Sequence, residues 1–397
     1  MTARRLAVGA CVLAVLATTL TPAGYVANAT PATCLFCGDR GAADALSNVL
    51  LFVPLGLALS LAGAGRAALV GGALALSLVI EGLQLTVISR YASLGDVVWN
   101  AAGAALGLVL HRWWPRLRPQ PADGPARALA AAAACVALVA VVGVLLRPAP
   151  PGGTWYIHWL RNLARTERYR GRIVDATVGG QRLAPWREFH PDQARAALLA
   201  RGPVRLDVEV GPPPHSLAAL LTVLGAGREE IVYLGAIGED VVVREYRLAS
   251  ALKFHTPERR VAHVLSGLQP GDTVQLVLEG SGGGRCLTLG AVHQCGLDVP
   301  LSRAWTLVAG LDGLPAPLRA TADVVWMLAL FAPLGLWSAR RYLPVGAALA
   351  LGGALLLVPV VTRTVFVSWG FAVVALLGVA AGAWGRGRLT SRSPQTA

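Results

Sequence analysis

The stretch VIEGLQLTVISRYASLGDVVWN, residues 79–100, places Glu81, Gln84, Arg90, Ser93, Asp96 and Asn100 in nearly apolar surroundings. A carboxylate at mid-membrane depth costs roughly 2.5–3.5 kcal/mol even on a lenient insertion scale. Side chains kept at that cost face a bundle interior or a watery cavity. Glu81 and Gln84 are spaced i,i+3, and Asp96 and Asn100 i,i+4, so each pair shares one helix face. Asp44 and Asn48 repeat the i,i+4 spacing upstream. Three carboxylates, three amides, a serine and an arginine could hold a polar headgroup or relay a proton as acid and base. They could also bridge helices by hydrogen bonds alone.

The elements that carry them read as membrane spans. Of 397 residues, 55% are hydrophobic and 14% charged, with a mean hydropathy of +0.56; charged residues make up about 25% of an ordinary soluble domain. A bilayer crossing needs about 20 apolar residues. Eight runs qualify, at 6–25, 46–63, 67–88, 94–112, 128–146, 321–338, 343–362 and 366–384. The first run admits a second reading. Arg4 and Arg5 precede it and Ala27-Asn28-Ala29 follows it, the form of a cleaved signal peptide.

Arginine placement sets an expected orientation. With the N-terminus inside, the inner segments hold 12 arginines and one acid, Asp123, a charge of +11, whereas residues 148–318 hold 18 basic and 16 acidic side chains. The net charge of +13 is therefore the positive-inside rule, and no nucleic-acid partner is expected. Both termini fall on the cytoplasmic side and residues 148–318 outside the cell. Glu81 lies fourteen residues into the third span, roughly 21 Å along. The chain turns outside and re-enters, so Asp44, Asn48, Glu81, Gln84, Asp96 and Asn100 converge at one outer depth, with Arg90 above them.

Cysteine usage agrees with that map. Cys11 and Cys135 sit in spans as apolar residues. Cys34 and Cys37, in CLFCGDRG, and Cys286 and Cys295, in RCLTLGAVHQCG, are close pairs on the outer side, where disulfides form. A CxxC also suits zinc or redox chemistry, but no second CxxC or His pair accompanies it, and no metal or other cofactor is expected.

Three spaced motifs resemble the VanZ-like family: N-x-L-L-F-x-P-x-G in DALSNVLLFVPLGL, I-E-x-x-Q in IEGLQ, and R-x-x-x-x-x-D-x-x-x-N-x-x-G in SRYASLGDVVWNAAGAALG. The matching positions are Asn48, Phe52, Pro54, Gly56, Glu81, Gln84, Arg90, Asp96, Asn100 and Gly103, within about residues 34–112. The resemblance implies a part in reduced susceptibility to the glycopeptide teicoplanin, and it implies no reaction.

Residues 148–318 read as an all-β domain. VRLDVEV (204–210) alternates apolar and polar residues throughout, the pattern of a half-buried strand. GRIVDATV, EEIVYLGAI, DVVVREYRL, TVQLVLEG and LTLGAV supply five more candidates, separated by turns such as QPGD and GSGGGR. The pattern resembles laminin-G-like or concanavalin-like sandwiches, which implies contact with glycan or peptidoglycan. His158, His190, His215, His255, His263 and His293 are scattered, and there is no P-loop, HExxH or GxSxG motif.

FVPLGL (52–57) recurs as FAPLGL (331–336), with Asp44 and Asp323 each ten residues before the proline. Ser93, Gly95, Gly103 and Gly107 align at a shift of 275 with Ser368, Gly370, Gly378 and Gly382, while the partners of Glu81, Gln84, Asp96 and Asn100 are apolar or Pro. The last three spans thus read as a decayed copy, in which Asp323 is a hydrated acid that only orients its helix.

The expected architecture is a mixed fold: a polytopic helical bundle of about eight spans with an inserted extracellular β-sandwich. Residues 1–146 form the VanZ-like part, 148–318 the sandwich and 319–397 the degenerate repeat. The leading expectation is an envelope protein that binds a membrane lipid, lipid-linked wall precursor or glycopeptide at the outer leaflet. The alternative is a membrane enzyme modifying a lipid-linked wall precursor, with Glu81 or Asp96 as acid or base. A transporter is the third reading.

Overall fold

Runs of apolar residues with Gly or Pro at their edges become long helices in the computed structural model. It describes residues 2–21, 33–36, 38–87, 92–121, 123–159, 167–184, 188–189, 191–281, 284–310, 314–362, 364 and 366–391. The long helices are α1 (Thr2–Thr19), α2 (Gly41–Leu61), α3 (Arg66–Gln84), α4 (Leu94–Leu117), α5 (Pro125–Leu145), α6 (Ala316–Trp337), α7 (Leu343–Thr362) and α8 (Trp369–Ser391). Seven of them, α2 to α8, are long and apolar enough to cross a membrane among the described residues, so the chain is a multi-pass membrane protein. The expected eighth span, 6–25, is the shorter and less apolar α1, which ends at Thr19. Val15 of α1 is nevertheless buried with Phe52, Leu55, Leu69 and Ile80 of the next two helices. The expected cleavage motif lies outside the described residues.

Glycines set how closely the helices approach. A Cβ on Gly56, Gly103 or Gly107 would collide with the backbone of Ala104, Val49 or Val53. Only a residue without a side chain lets α2 and α4 touch backbone to backbone. Gly335, Gly378 and Gly382 meet the backbones of Val379, Leu328 and Ala332 in the same way, joining α6 to α8. α5, which the sequence groups with the first four helices, packs on α6 and α7. Its Ala132, Cys135, Val139 and Val142 share a core with Met327, Phe331, Ala350 and Ala375.

The β domain is two six-stranded antiparallel sheets. Its strands are β1 (Trp155–Trp159), β2 (Arg172–Val178), β3 (Gln181–Arg182), β4 (Glu188–Phe189), β5 (Val204–Glu209), β6 (Ala218–Leu224), β7 (Glu230–Ile237), β8 (Asp240–Glu245), β9 (Arg259–Val261), β10 (Thr273–Ser281), β11 (Gly284–Leu289) and β12 (Val292–Cys295). One sheet runs β4-β1-β6-β7-β8-β9 and the other β12-β11-β10-β5-β2-β3. Their facing sides share one core, from Ile157, Leu221 and Leu234 to Leu206, Leu276 and Leu287. The six expected strand segments all fall on strands, and the alternation of VRLDVEV appears as alternating burial along β5. β11 and β12 form a hairpin in which Cys286 and Cys295 are cross-strand partners joined by a disulfide. Cys34 is disulfide-bonded too, while Cys37 lies outside the described residues. Cys11 and Cys135 are free thiols.

Short segments that follow β8 and β12 form a collar between domain and bundle. The Lys253 carbonyl accepts the Ala42 and Ala43 N–H groups at 3.1 and 3.2 Å, capping α2 from outside its own sequence. Ser47 donates to the Val308 carbonyl at 3.2 Å, and Trp326 to Leu301 at 3.1 Å. Buried Arg247 donates to the Leu146 carbonyl just past α5. At the far end of the bundle, Asp123 pairs with Arg127 at 2.6 Å and Arg386 at 2.9 Å, latching the α4–α5 loop to α8. Burial pushes the Asp123 carboxyl up, but the Gln120 amide and the two guanidiniums outweigh it and hold it below the ordinary carboxylate value.

Candidate functional site

The N-terminal ends of α2 and α4 point toward the collar, and each carries an acid in its first turn, Asp44 and Asp96. Helix N-termini expose unpaired N–H groups and the positive end of the dipole, so acids are favoured there. The glycine contacts fix the relative depth. Gly103 meets Val49 and Gly107 meets Val53, the same offset of 54 in both cases (103 minus 49, 107 minus 53). Followed back along the two helices, this register sets Asp44 level with Val98, between Asp96 and Asn100. Asp44 is exposed at the collar end, and Asn48 and Asp96 are half-buried.

α3 runs antiparallel to this pair and brings its polar face inward. Glu81 is 7% exposed, and its Oε2 accepts the Ser93 N–H at 2.6 Å, at the cap of α4. Asn100 is 2% exposed and donates from Nδ2 to Ser77 Oγ at 2.9 Å. Its Oδ1 is buried with no hydrogen-bond partner. Such an acceptor costs free energy until something donates to it. Gln84 is buried and donates to the Thr19 carbonyl at 3.1 Å, so its amide also holds α1 against α3. Arg90 lies outside the described residues.

A floor of backbone and aromatic rings closes the collar side. Trp99 Nε1 donates to the Leu35 carbonyl at 2.9 Å, and its ring lies 5.0 Å from that of Phe36. The backbone of Cys34 and Leu35 presses on Gly95, where a Cβ would collide. Disulfide-bonded Cys34 thus lies directly over the start of α4. Ser77 is a polar residue outside the expected set. It lies four residues before Glu81 on the same face of α3, and that spacing was its signal.

The structure also corrects the reading of Asp323. It is buried rather than hydrated, with Trp305 Nε1 donating to Oδ1 at 2.8 Å and Arg303 pairing with Oδ2 at 3.4 Å. It is an anchor for the collar. In the β domain, Cys286, His293 and Cys295 place three ligand-type atoms within 4.8 Å. The disulfide between the two cysteines removes the thiolates a metal would need.

Residues 12–115 match the family described as VanZ/LLP1, a stretch that runs from the middle of α1 to near the end of α4. No curated protein and no solved structure matches the chain.

Proposed function

From a multi-pass membrane protein whose first four helices carry a VanZ-like domain, we propose an envelope protein that binds a polar headgroup at the outer leaflet. The pocket comprises Asp44, Asn48, Glu81, Gln84, Ser93, Asp96 and Asn100, with Arg90 assigned to it on the sequence pattern alone. The ligand is a membrane lipid, a lipid-linked wall precursor or a glycopeptide, and the role is in glycopeptide tolerance of the teicoplanin type, the family's association. The β domain stands outside the cell, where it meets wall glycan. The arginine asymmetry of the sequence supports this orientation, with Arg4, Arg66, Arg118, Arg340 and Arg388 on the inner side.

One observation carries the pocket reading. The α6–α8 pair packs through the same kind of glycine contacts as α2–α4. Yet at the sequence-aligned positions α6 has Met327 for Asn48, α7 has Leu356 for Glu81, and α8 has Phe371 for Asp96 and Ala375 for Asn100. Polar glue is therefore not needed to build such a helix pair. The first half, α2 to α4, keeps a buried carboxylate and an unpaired amide oxygen at a cost that a ligand would offset.

Mass spectrometry of lipid retained through purification tests the proposal. A retained polar lipid, unchanged on incubation, supports binding. Conversion of that lipid to a product replaces binding by catalysis, with Glu81 as acid or base. No retained polar lipid removes the proposal. Orientation has its own check. A membrane-impermeant thiol label should reach a cysteine introduced near Gly282 in whole cells and miss one near Asp123; the opposite pattern inverts the topology.

A further inference from the structure

A second polar region lies where the collar meets α6, and none of its residues belongs to the α2–α3–α4 pocket. Arg201, Arg247, Arg259, Arg285, Arg303 and Arg319 gather there around Glu245, Asp298 and Asp323. Arg285 takes Glu245 at 2.7 Å, Arg201 takes Asp298 at 2.9 Å, and Arg303 takes Asp323 at 3.4 Å. Arg247 lies 3.8 Å from Glu245 and 4.0 Å from Asp298. Each acid is already engaged.

Among the described residues, Arg259 makes no carboxylate contact. Its Nη2 donates to the Gly296 carbonyl at 3.1 Å, and its Nε is buried with no hydrogen-bond partner. Burial, then repulsion from Arg303 and Arg319, pulls its pKa down to about 10, against a smaller pull from Asp298 and Asp323. Asp312 lies outside the described residues, between Arg303 and Arg319 in the chain. Even with it counted, six arginines face four acids.

Arg319 occupies the first turn of α6, a membrane-length helix, which sets the cluster at headgroup level. Planar guanidiniums with spare N–H groups match phosphate oxygens better than any other side chain does. The first half of the bundle has a counterpart that lacks this excess. Arg40-x-x-x-Asp44 recurs as Arg319-x-x-x-Asp323, and nine of eighteen residues are identical between 40–57 and 319–336. Arg40 acts on His255 of the collar, which burial first and Arg40 second hold neutral with a pKa of about 4. Where the first copy meets a neutral imidazole, the second meets another arginine.

We infer that Arg259, Arg303 and Arg319 bind a phosphate group, supplied by an anionic lipid headgroup wedged between the β domain and α6. The test is native mass spectrometry of the full chain released from nanodiscs of mixed phosphatidylcholine and phosphatidylglycerol. The wild type should retain phosphatidylglycerol in preference. Arg259→Gln should lower that preference about tenfold, as expected for loss of a charge-assisted hydrogen bond. Arg259→Lys should restore part of it, and Arg205→Gln, at an exposed position on β5, should leave it unchanged. If Arg259→Gln does not fold, judged by its melting in the same discs, Arg319→Gln takes its place. Equal retention of the two lipids by the wild type overturns the site, as does an unchanged preference in the Arg259 or Arg319 variant. A third arm adds inorganic phosphate alone. Raised melting of the wild type by phosphate, without any lipid preference, overturns the lipid source and leaves a soluble phosphate ligand.

Discussion

In the α2–α4 pair, Gly56, Gly103 and Gly107 lie on Ala104, Val49 and Val53; in the α6–α8 pair, Gly335, Gly378 and Gly382 lie on Val379, Leu328 and Ala332. Every residue of the second set follows from the first by a shift of 279 on the leading helix and 275 on the trailing one. The contacts that set helix distance are thus shared, while the polar residues between the helices are present in one pair and absent from the other. Helix packing and polar chemistry are separable in this chain. The acids diverge as well: Asp44 is exposed beside the collar, whereas Asp323 is buried under Arg303 and Trp305.

The sharpest way to break the comparison is at the shared contacts. Gly56→Ala and Gly335→Ala each drive a methyl group into backbone that a rotamer change cannot move. Each should cost about 3 kcal/mol, the upper part of the overpacking range, read as lowered melting in detergent. A large loss at one glycine and none at the other would end the equivalence of the pairs.

The acids should differ next. Asp323→Ala strips the partner from Arg303 within an arginine-rich cluster. Buried pairs broken this way lose 3–5 kcal/mol, and partial exposure of Arg303 reduces the expectation to about 2–3 kcal/mol. Asp44→Ala should cost under about 1 kcal/mol, as other exposed charges do. Equal melting of the two variants would remove the asymmetry.

Acid should loosen the collar at α2. His255 has a folded pKa of about 4 against 6.5 for the free side chain, so the unfolded chain takes up its proton first as pH falls. The stability contributed by the neutral imidazole is complete above pH 6.5 and is lost toward pH 4, a change of roughly 2–3 kcal/mol. His255→Gln should flatten that part of the melting profile. An unchanged profile would mean that His255 is open to water.

Asn100→Ala is the smallest expected effect on stability, under about 1 kcal/mol, because Ser77 can turn to a backbone carbonyl. If its melting falls by several kcal/mol instead, Asn100 is structural glue after all.

Much of the bundle was legible because apolar run length needs no tertiary context, and the β strands that alternate were legible for the same reason. β6 (AALLTVL) was not, since it is buried along its whole length and carries no alternation to read. The collar was invisible. Its pieces, such as Lys253 and Trp305, are short and polar or aromatic, and their partners in α2 and α6 are set by packing across the chain. The burial of Asp323 was hidden for the same reason, because nothing local marks Arg303 as its partner. The pairing of Glu81 with Ser93 and of Asn100 with Ser77 crosses from α3 to α4, and only their sharing of helix faces could be foreseen.

The central claim is that the polar groups between α2, α3 and α4 hold a headgroup that the second half does not. Its most direct measurement is the lipid retained by purified wild type, Glu81→Ala, Glu81→Gln and Leu356→Ala, compared at equal melting temperature. Glu81→Ala should lose a polar lipid that the wild type keeps, and Leu356→Ala, at the aligned and lipid-exposed position of α7, should keep it. Retention by Glu81→Gln would assign Glu81 a hydrogen-bonding role, and loss would assign it a charge or a proton. The same lipids in the same amounts on wild type and Glu81→Ala would contradict the account.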